Sequence, residues 1–301
     1  MGNKEGNTMP TTRKYRRLKG LDYFNCSKIG VRRKLRLVFC YEAYRPDMDV
    51  NSIVKQAEMG DALAQFNLGV MCANGKGVQK DAVGAVKWYR SAAEQGLAVA
   101  QFNLGVMYDT GEGVERNLVE ALRWWSLAAE QGLAVAQFNL GVMYDTGEGV
   151  EANRVEALRW WCRAAEQGLA GAQYKLGYMY EHGFGLPRDH KEAATWYRMA
   201  ADQGHAWAQY SLGGVYQFLA LAGDGPENGY VEAAKWHRRA ADQGLAVAQF
   251  SMGLMYRYGQ GVPRDFVEAY KWYILAASQG VEEALQHIND PTWALPTTQN
   301  N

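Results

Sequence analysis

Apolar positions recur with a helical period in two consecutive segments of the chain. In the first segment, Ala100, Leu104 and Tyr108 are four apart and therefore share one face of a helix. In the second segment, residues 121–129, alanines and tryptophans fall at spacings of three, four and seven, with no internal Gly or Pro. A Gly-x-Gly lies between the segments. It supplies a residue in the left-handed conformation, which ends the helix, and allows a tight turn to follow. The pattern predicts two helices joined by a short turn.

The predicted helix pair is repeated along the chain at an offset of 36 residues. Residues 97–115 are identical to residues 133–151, and weaker copies flank them on both sides. The fifth copy is 40 residues long, because it has extra residues around Leu219 to Asn228, which predict a longer first helix or a loop. Such a period predicts stacked helix pairs and directs the search for function toward binding surfaces. The six units are residues 61–96, 97–132, 133–168, 169–204, 205–244 and 245–280.

The ends of the repeat array are predicted from partial matches. Residues 50–60 match the end of a second helix and residues 281–290 the beginning of a first helix, so both are expected to be half-repeat caps of a solenoid over 50–290. Residues 291–301 form a polar tail, which we expect to fray.

Charge is unevenly distributed although the chain is formally neutral. Residues 1–49 contain 12 Lys or Arg and 5 Asp or Glu. This stretch is expected to be a poorly ordered leader; an arm that binds nucleic acid or a membrane surface is the alternative. Its apolar run, Leu35 to Cys40, is too short for the core of a signal peptide. No run of 18 apolar residues exists, so no membrane-spanning segment is expected.

The units resemble the Sel-one-like repeat family, a relative of the tetratricopeptide repeats, over residues 61–280. The pattern that carries the resemblance is Ala-Gln-x-x-Leu-Gly-x-x-Tyr, then Gly-x-Gly-Val, then Ala-x-x-Trp-Tyr-x-x-Ala-Ala. Cys72 replaces the Tyr of the first unit and Met252 the Leu of the sixth. In the second unit the pattern is present as Ala100, Gln101, Leu104, Gly105, Tyr108, Gly111, Gly113, Val114, Ala121, Trp124, Trp125, Ala128 and Ala129.

The resemblance implies an all-α fold: an α/α solenoid of about six helix pairs wound as a right-handed superhelix. It also implies a protein–protein interaction scaffold, with bacterial members in host interaction or envelope functions. Large and small residues are expected to interdigitate between layers, with the tryptophans opposite Gly105-type glycines and Ala-Ala pairs. The six tryptophans are Trp88, Trp124, Trp160, Trp196, Trp236 and Trp272.

Some short motifs of the chain are similar to catalytic motifs, but each has another explanation. Asp109-Thr110-Gly111 and Asp145-Thr146-Gly147 are similar to the Asp-Thr-Gly of aspartic proteases, but they end predicted parallel helices in adjacent layers. The five histidines form no metal-ligand spacing. No cofactor, metal or enzymatic activity is expected.

The four cysteines do not recur with the repeat. Some secreted relatives have a disulfide in each unit, whereas Cys26, Cys40, Cys72 and Cys162 show no such arrangement. Reduced thiols in a cytoplasm are expected; a Cys26–Cys40 bridge and a secreted or periplasmic location are the alternatives.

The candidate partner-binding surface is the face of the first helix opposite Leu104 and Gly105. In the related repeats this face lines a concave groove, where aromatic rings and amides would hold an extended peptide. The alternative role of the rings is to pack against the neighbouring repeat. The amides are expected to lie outside the packed face. The candidate residues are Phe66, Asn67, Phe102, Asn103, Val106, Asp109, Phe138, Asn139, Val142, Asp145, Tyr174, Lys175, Tyr210 and Phe250.

The sequence therefore favours a non-enzymatic scaffold that binds a protein or peptide in the groove. The alternatives are a hydrolase, an activity attributed to some relatives, and nucleic-acid or membrane-surface binding by the basic leader.

Overall fold

A computed structural model describes residues 49–290, and within this range the chain forms fourteen α-helices and no strand. Two short helices, α1 (Val50–Glu58) and α14 (Glu282–Ile288), lie at the ends. The first helices of the six units are α2 (Ala62–Asn74), α4 (Ala98–Thr110), α6 (Ala134–Thr146), α8 (Ala170–His182), α10 (Ala206–Ala222) and α12 (Ala246–Tyr258). The second helices are α3 (Ala82–Glu94), α5 (Leu118–Glu130), α7 (Arg154–Glu166), α9 (His190–Asp202), α11 (Gly229–Asp242) and α13 (Phe266–Ser278).

The helices stack in chain order as a solenoid. Each first helix packs against its own second helix and against the second helix of the preceding unit. The buried residues accordingly form a succession of clusters along the array instead of one central core. The predicted all-α solenoid is confirmed. The basic leader and the polar tail lie outside the described residues.

Local sequence signals fix where the helices begin and end. Five second helices begin after an Asp or Asn whose side chain accepts from backbone N–H groups of the first turn, as Asn117 does from Val119 and Glu120 at 3.1 Å. First helices end at a left-handed glycine such as Gly111, with a φ of 73°. The second glycine of the turn has a packing role as well: a side chain on Gly113 would clash with the carbonyl of Ala82 in the preceding unit.

The large residue that packs on each first-helix glycine is not the predicted tryptophan. It is the residue after it: a Cβ on Gly105 would lie 2.5 Å from Cδ1 of Trp125, whose Nε1 donates to the Phe102 carbonyl at 3.1 Å. Trp124 is itself buried, but elsewhere in the layer. The reason is that successive residues on a helix point 100° apart, so only one of the two rings can face the first helix. The residues packed on the glycine are Tyr89, Trp125, Trp161, Tyr197, His237 and Tyr273.

A pair of glutamines joins the helices at every junction, which we call the glutamine link. Gln101 is buried on the first helix, and its Nε2 donates to the Ala93 carbonyl of the preceding unit at 3.1 Å. Gln131, at the end of the same unit, donates to Gln101 Oε1 at 2.8 Å. Each link therefore connects the ends of two successive second helices through one first helix. The same two hydrogen bonds, one donated and one accepted, are made by the first-helix glutamines Gln65, Gln101, Gln137, Gln173, Gln209 and Gln249.

Of the two predicted outcomes of the insertion in the fifth unit, the structure has the longer first helix. In this unit the first helix α10 has 17 residues, whereas the other first helices have 13. A loop then follows from Gly223, which has a left-handed φ of 70°, to Asn228 before α11.

Candidate partner-binding surface

Each first helix has a third face beside the two sides that pack against the neighbouring second helices. In the second unit, Phe102 lies against Trp125 of its own second helix, with ring centroids 6.3 Å apart. On another side Tyr108 accepts from Arg90 of the preceding second helix at 2.6 Å. The remaining face bears residues spaced four, three and four, which we call the first-helix stripe. In the six units the stripe consists of Leu63, Asn67, Val70, Asn74; Val99, Asn103, Val106, Thr110; Val135, Asn139, Val142, Thr146; Gly171, Lys175, Tyr178, His182; Trp207, Ser211, Gly214, Phe218; and Val247, Ser251, Leu254, Tyr258.

The predicted aromatic row lies beside the stripe and packs within each unit. In five units the ring lies 5.2–6.3 Å from the ring that covers the first-helix glycine. Phe66, Phe102 and Phe138 are buried, whereas Tyr174, Tyr210 and Phe250 are half-buried. Packing, the alternative role, therefore accounts for the rings of the first three units, Phe66, Phe102 and Phe138. Contact between a partner and the rings of the last three units, Tyr174, Tyr210 and Phe250, stays a prediction.

The amide row is not outside the packed face in the first two units. Asn67 and Asn103 are only 3 % and 1 % exposed, and Asn103 lies beside Tyr89 of the preceding unit. Burial raises the pKa of Tyr89, and its contact with Asn103 opposes that shift. The expectation that these two amides are free for a ligand was wrong. At Asn103 the reason is that the Tyr89 ring on the preceding second helix meets this position.

The rest of the row becomes more accessible along the chain. Asn139, Lys175, Ser211 and Ser251 are half-buried. The Lys175 ammonium lies 5.2 Å from the ring centroid of Trp161, in the preceding unit, a cation–π contact. These positions can contact a ligand, whereas Asn67 and Asn103 cannot without rearrangement.

The predicted carboxylates lie near arginines of their own units. Asp109 Oδ1 is 3.8 Å from Arg116, and Asp145 Oδ1 is 3.9 Å from Arg154. The neighbouring Thr110 hydroxyl donates to the Val106 carbonyl at 2.9 Å, as a helix-end residue does. This geometry is that of two helix ends and not of two carboxylates sharing a proton.

The exposed aromatic rings of the stripe lie in the fourth to sixth units, which we call its accessible part. Val106 is buried and Val142 half-buried, whereas Tyr178, Phe218 and Tyr258 are exposed. Sequence reasoning missed these three rings because it followed Phe102 and its equivalents. The signal was available: aromatic residues stand at stripe positions where earlier units have Val, Asn or Thr.

Other chemical groups in residues 49–290 form no recognisable catalytic or metal centre. No group of three or more His, Cys, Asp or Glu in this range could hold a metal ion. Cys72 and Cys162 are free thiols whose pKa is raised by burial, and Cys26 and Cys40 lie outside the described residues. Between residues 49 and 290, no helix has the length and apolar character needed to cross a lipid bilayer.

One cleft of about 450 Å³ lies between α9 and the loop after α10. Both of its cationic side chains have partners within the cleft: Lys191 Nζ lies 2.7 Å from Asp224 Oδ1, and Arg198 donates to the Tyr216 hydroxyl.

The repeat units match a known family along most of the chain. The family model described as Sel1 repeat matches residues 62–97, 98–133, 134–169, 170–205, 208–245 and 246–281. The chain belongs to the Sel1 repeat family. Sel1 repeats commonly mediate protein–protein interactions, and a solenoid of them is typically a non-enzymatic scaffold.

Two solved bacterial structures share the Sel1 repeat solenoid with this chain. One is c5321, described as a protective antigen of uropathogenic Escherichia coli with an SLR fold; it is 36 % identical, with a TM-score of 0.76 over 80 % of this chain. The match spans 51 % of the antigen, about half its length. The other is a Sel1 repeat protein from Oxalobacter formigenes, 32 % identical with a TM-score of 0.63, covering 75 % of this chain and 96 % of that one. A search of curated proteins gave no match.

Proposed function

We propose that this Sel1 repeat protein is a scaffold that binds an extended segment of a protein partner along the first-helix stripe. One observation carries the proposal: Tyr178, Phe218 and Tyr258 are 37 %, 46 % and 57 % exposed on the same face of three successive first helices. Exposed aromatic rings on one face of neighbouring elements are characteristic of interaction surfaces.

The composition of the stripe supports an extended ligand. Lys175 is its only Lys or Arg, and it has no Asp or Glu. Half-buried hydroxyls at Ser211 and Ser251 can donate to or accept from a peptide backbone, while the rings pack its side chains. Successive helices are about 10 Å apart, the length of roughly three extended residues, so one unit matches about three ligand residues.

The alternative functions gain no support from residues 49–290. The carboxylates, thiols and histidines of this range form no hydrolase constellation, and the basic leader lies outside it. Partner binding by the stripe is therefore the function to test first.

The test is affinity capture from extract of the source organism with the full chain as bait. The stripe variant combines Phe218→Ser with Tyr258→Ser, and the control combines Val119→Ser with Val155→Ser, two exposed apolar residues on second helices. A partner retained by the wild type and the control but lost from the stripe variant supports the proposal. Equal retention by both variants, with unchanged circular dichroism, contradicts it.

A further inference from the structure

A glycine in the middle of α10 has no packing reason to be glycine. Gly213 needs to be small, because a Cβ there would lie 2.7 Å from Cε1 of His237. At the adjacent Gly214 an added Cβ would have no neighbour within 4 Å. Glycine inside a helix is destabilising relative to alanine, so Gly214 weakens α10 without relieving a contact.

Gly214 leaves a gap in a row of larger side chains. The equivalent stripe position is occupied by Val or a still larger residue in each of the other five units. The nearest of these are Tyr178, exposed in the fourth unit, and Leu254, half-buried in the sixth. The missing side chain therefore makes a notch on the accessible part of the stripe. The five residues are Val70, Val106, Val142, Tyr178 and Leu254.

Aromatic rings stand around the notch on α10 itself. Trp207 and Tyr210 are in edge-to-face contact with centroids 6.2 Å apart. Phe218, one turn after Gly214, is held in place by stacking on His190 at 4.1 Å. Rings fixed in this way offer faces and edges to another ring without having to be ordered on binding.

The stripe of the fifth and sixth units has no formally charged side chain. Its eight residues include two serines, whose hydroxyls can contact a peptide backbone, while the others are glycine, aliphatic or aromatic. A charged ligand side chain seated here would lose its hydration without gaining an ionic partner from the stripe. Two arginines lie over its rings, Arg188 on Phe218 and Arg257 on Tyr258, and they are already bonded to the Glu181 carbonyl and to Asp290. The charges on and around the stripe thus favour an uncharged ligand segment. The eight residues are Trp207, Ser211, Gly214, Phe218, Val247, Ser251, Leu254 and Tyr258.

We propose that the notch at Gly214 is a subsite for one aromatic side chain of an extended, uncharged peptide segment. The inference rests on the proposed function, since it names the residue class that the stripe would select. The backbone of the ligand would run across the first helices past Ser211 and Ser251, with its ring between Trp207 and Phe218.

The experiment is selection of random peptides displayed on phage against the immobilised full chain, followed by affinity measurement with a synthetic peptide from the selection. We expect an aromatic residue at one fixed position with uncharged neighbours. Gly214→Val, which fills the notch with the side chain found in the third unit, should raise the Kd of that peptide about tenfold or more. Val119→Leu, at an exposed position on a second helix outside the stripe, is the control and should leave the Kd unchanged.

Stability measurements separate loss of the notch from loss of the fold. Since nothing lies near an added Cβ, Gly214→Val should not lower the Tm. Peptides enriched without an aromatic position, or bound equally by Gly214→Val, would overturn the notch while leaving the scaffold function. No enrichment over resin without protein, or enriched peptides that still bind the Phe218→Ser, Tyr258→Ser variant, would overturn both.

Discussion

At the scale of the residue, the first-helix glycines are required because a ring covers the backbone. Gly105 is our example, since a Cβ there would lie 2.5 Å from Trp125. Gly105→Ala should lower the free energy of unfolding by about 1–3 kcal/mol, because the Trp125 ring has to move in a closely packed layer. The urea midpoint measures the effect, with Gly214→Ala as control. An unchanged midpoint for Gly105→Ala would contradict the packing.

His237 predicts a pH dependence of stability. It occupies the position of Tyr89, Tyr197 and Tyr273, and burial lowers its pKa to about 4. Unfolded, the imidazole gains a proton near its ordinary pKa of about 6.5, whereas the folded protein keeps it neutral. Stability is thus unaffected above about pH 7 and falls as the pH drops from about 6.5 to 4, by about 2 kcal/mol at pH 5.

Urea unfolding at pH 7.5 and pH 5 measures this loss. His237→Tyr restores the residue of the other units, and its midpoint should fall less between the two pH values than that of the wild type. Equal falls in both proteins would show that other groups cause the pH dependence.

At the scale of the element, the glutamine link holds each first helix between two second helices. Gln101→Met keeps the length of the side chain but removes both polar contacts, to Ala93 and from Gln131. We expect a loss of about 1–2 kcal/mol in stability. A double-mutant cycle with Gln131→Met isolates the bond between the two amides. A loss no larger than that of the exposed Gln79→Met would contradict the role of the link.

The loop after α10 is the predicted weak point of the array. Residues 223–228 connect α10 to α11, and among the six second helices only α11 begins without a side-chain cap, since Asn228 makes no capping hydrogen bond. Limited proteolysis of the repeats should therefore cut first within 223–228. Deletion of Leu219 to Ala222, one helical turn, serves as a comparison. A first cut elsewhere within residues 61–280 would contradict this prediction.

Element boundaries were predictable from sequence, whereas the accessible face was not. Gly111 and Asn117 mark a helix end and a helix start through local backbone chemistry alone. Tyr174 and Tyr178, by contrast, are about 40° apart on one helix, and only the position of Tyr197 determines that the former packs inward. The burial of Asn103 likewise depends on Tyr89 of the preceding unit, a contact between residues fourteen apart that no local pattern specifies.

At the scale of the whole molecule, stability is distributed along the array. Each helix contacts chiefly its neighbours in sequence, so the units can unfold in groups. We expect a calorimetric enthalpy that exceeds the van't Hoff enthalpy and amide exchange that is faster at the ends than in the central units. Equal enthalpies with uniform protection would indicate a single cooperative unit.

The uniformity of the glutamine link has a consequence for how such a chain can change in length. Every junction is made by the same amide contacts, so removal of residues 97–132 would place Gln137 against Ala93 in the role that Gln101 has now. Unequal recombination between the nearly identical second and third units would thus yield a shorter or longer protein with intact junctions. The number of units can therefore change during evolution. The notch at Gly214 is present in one unit only and would keep its local shape.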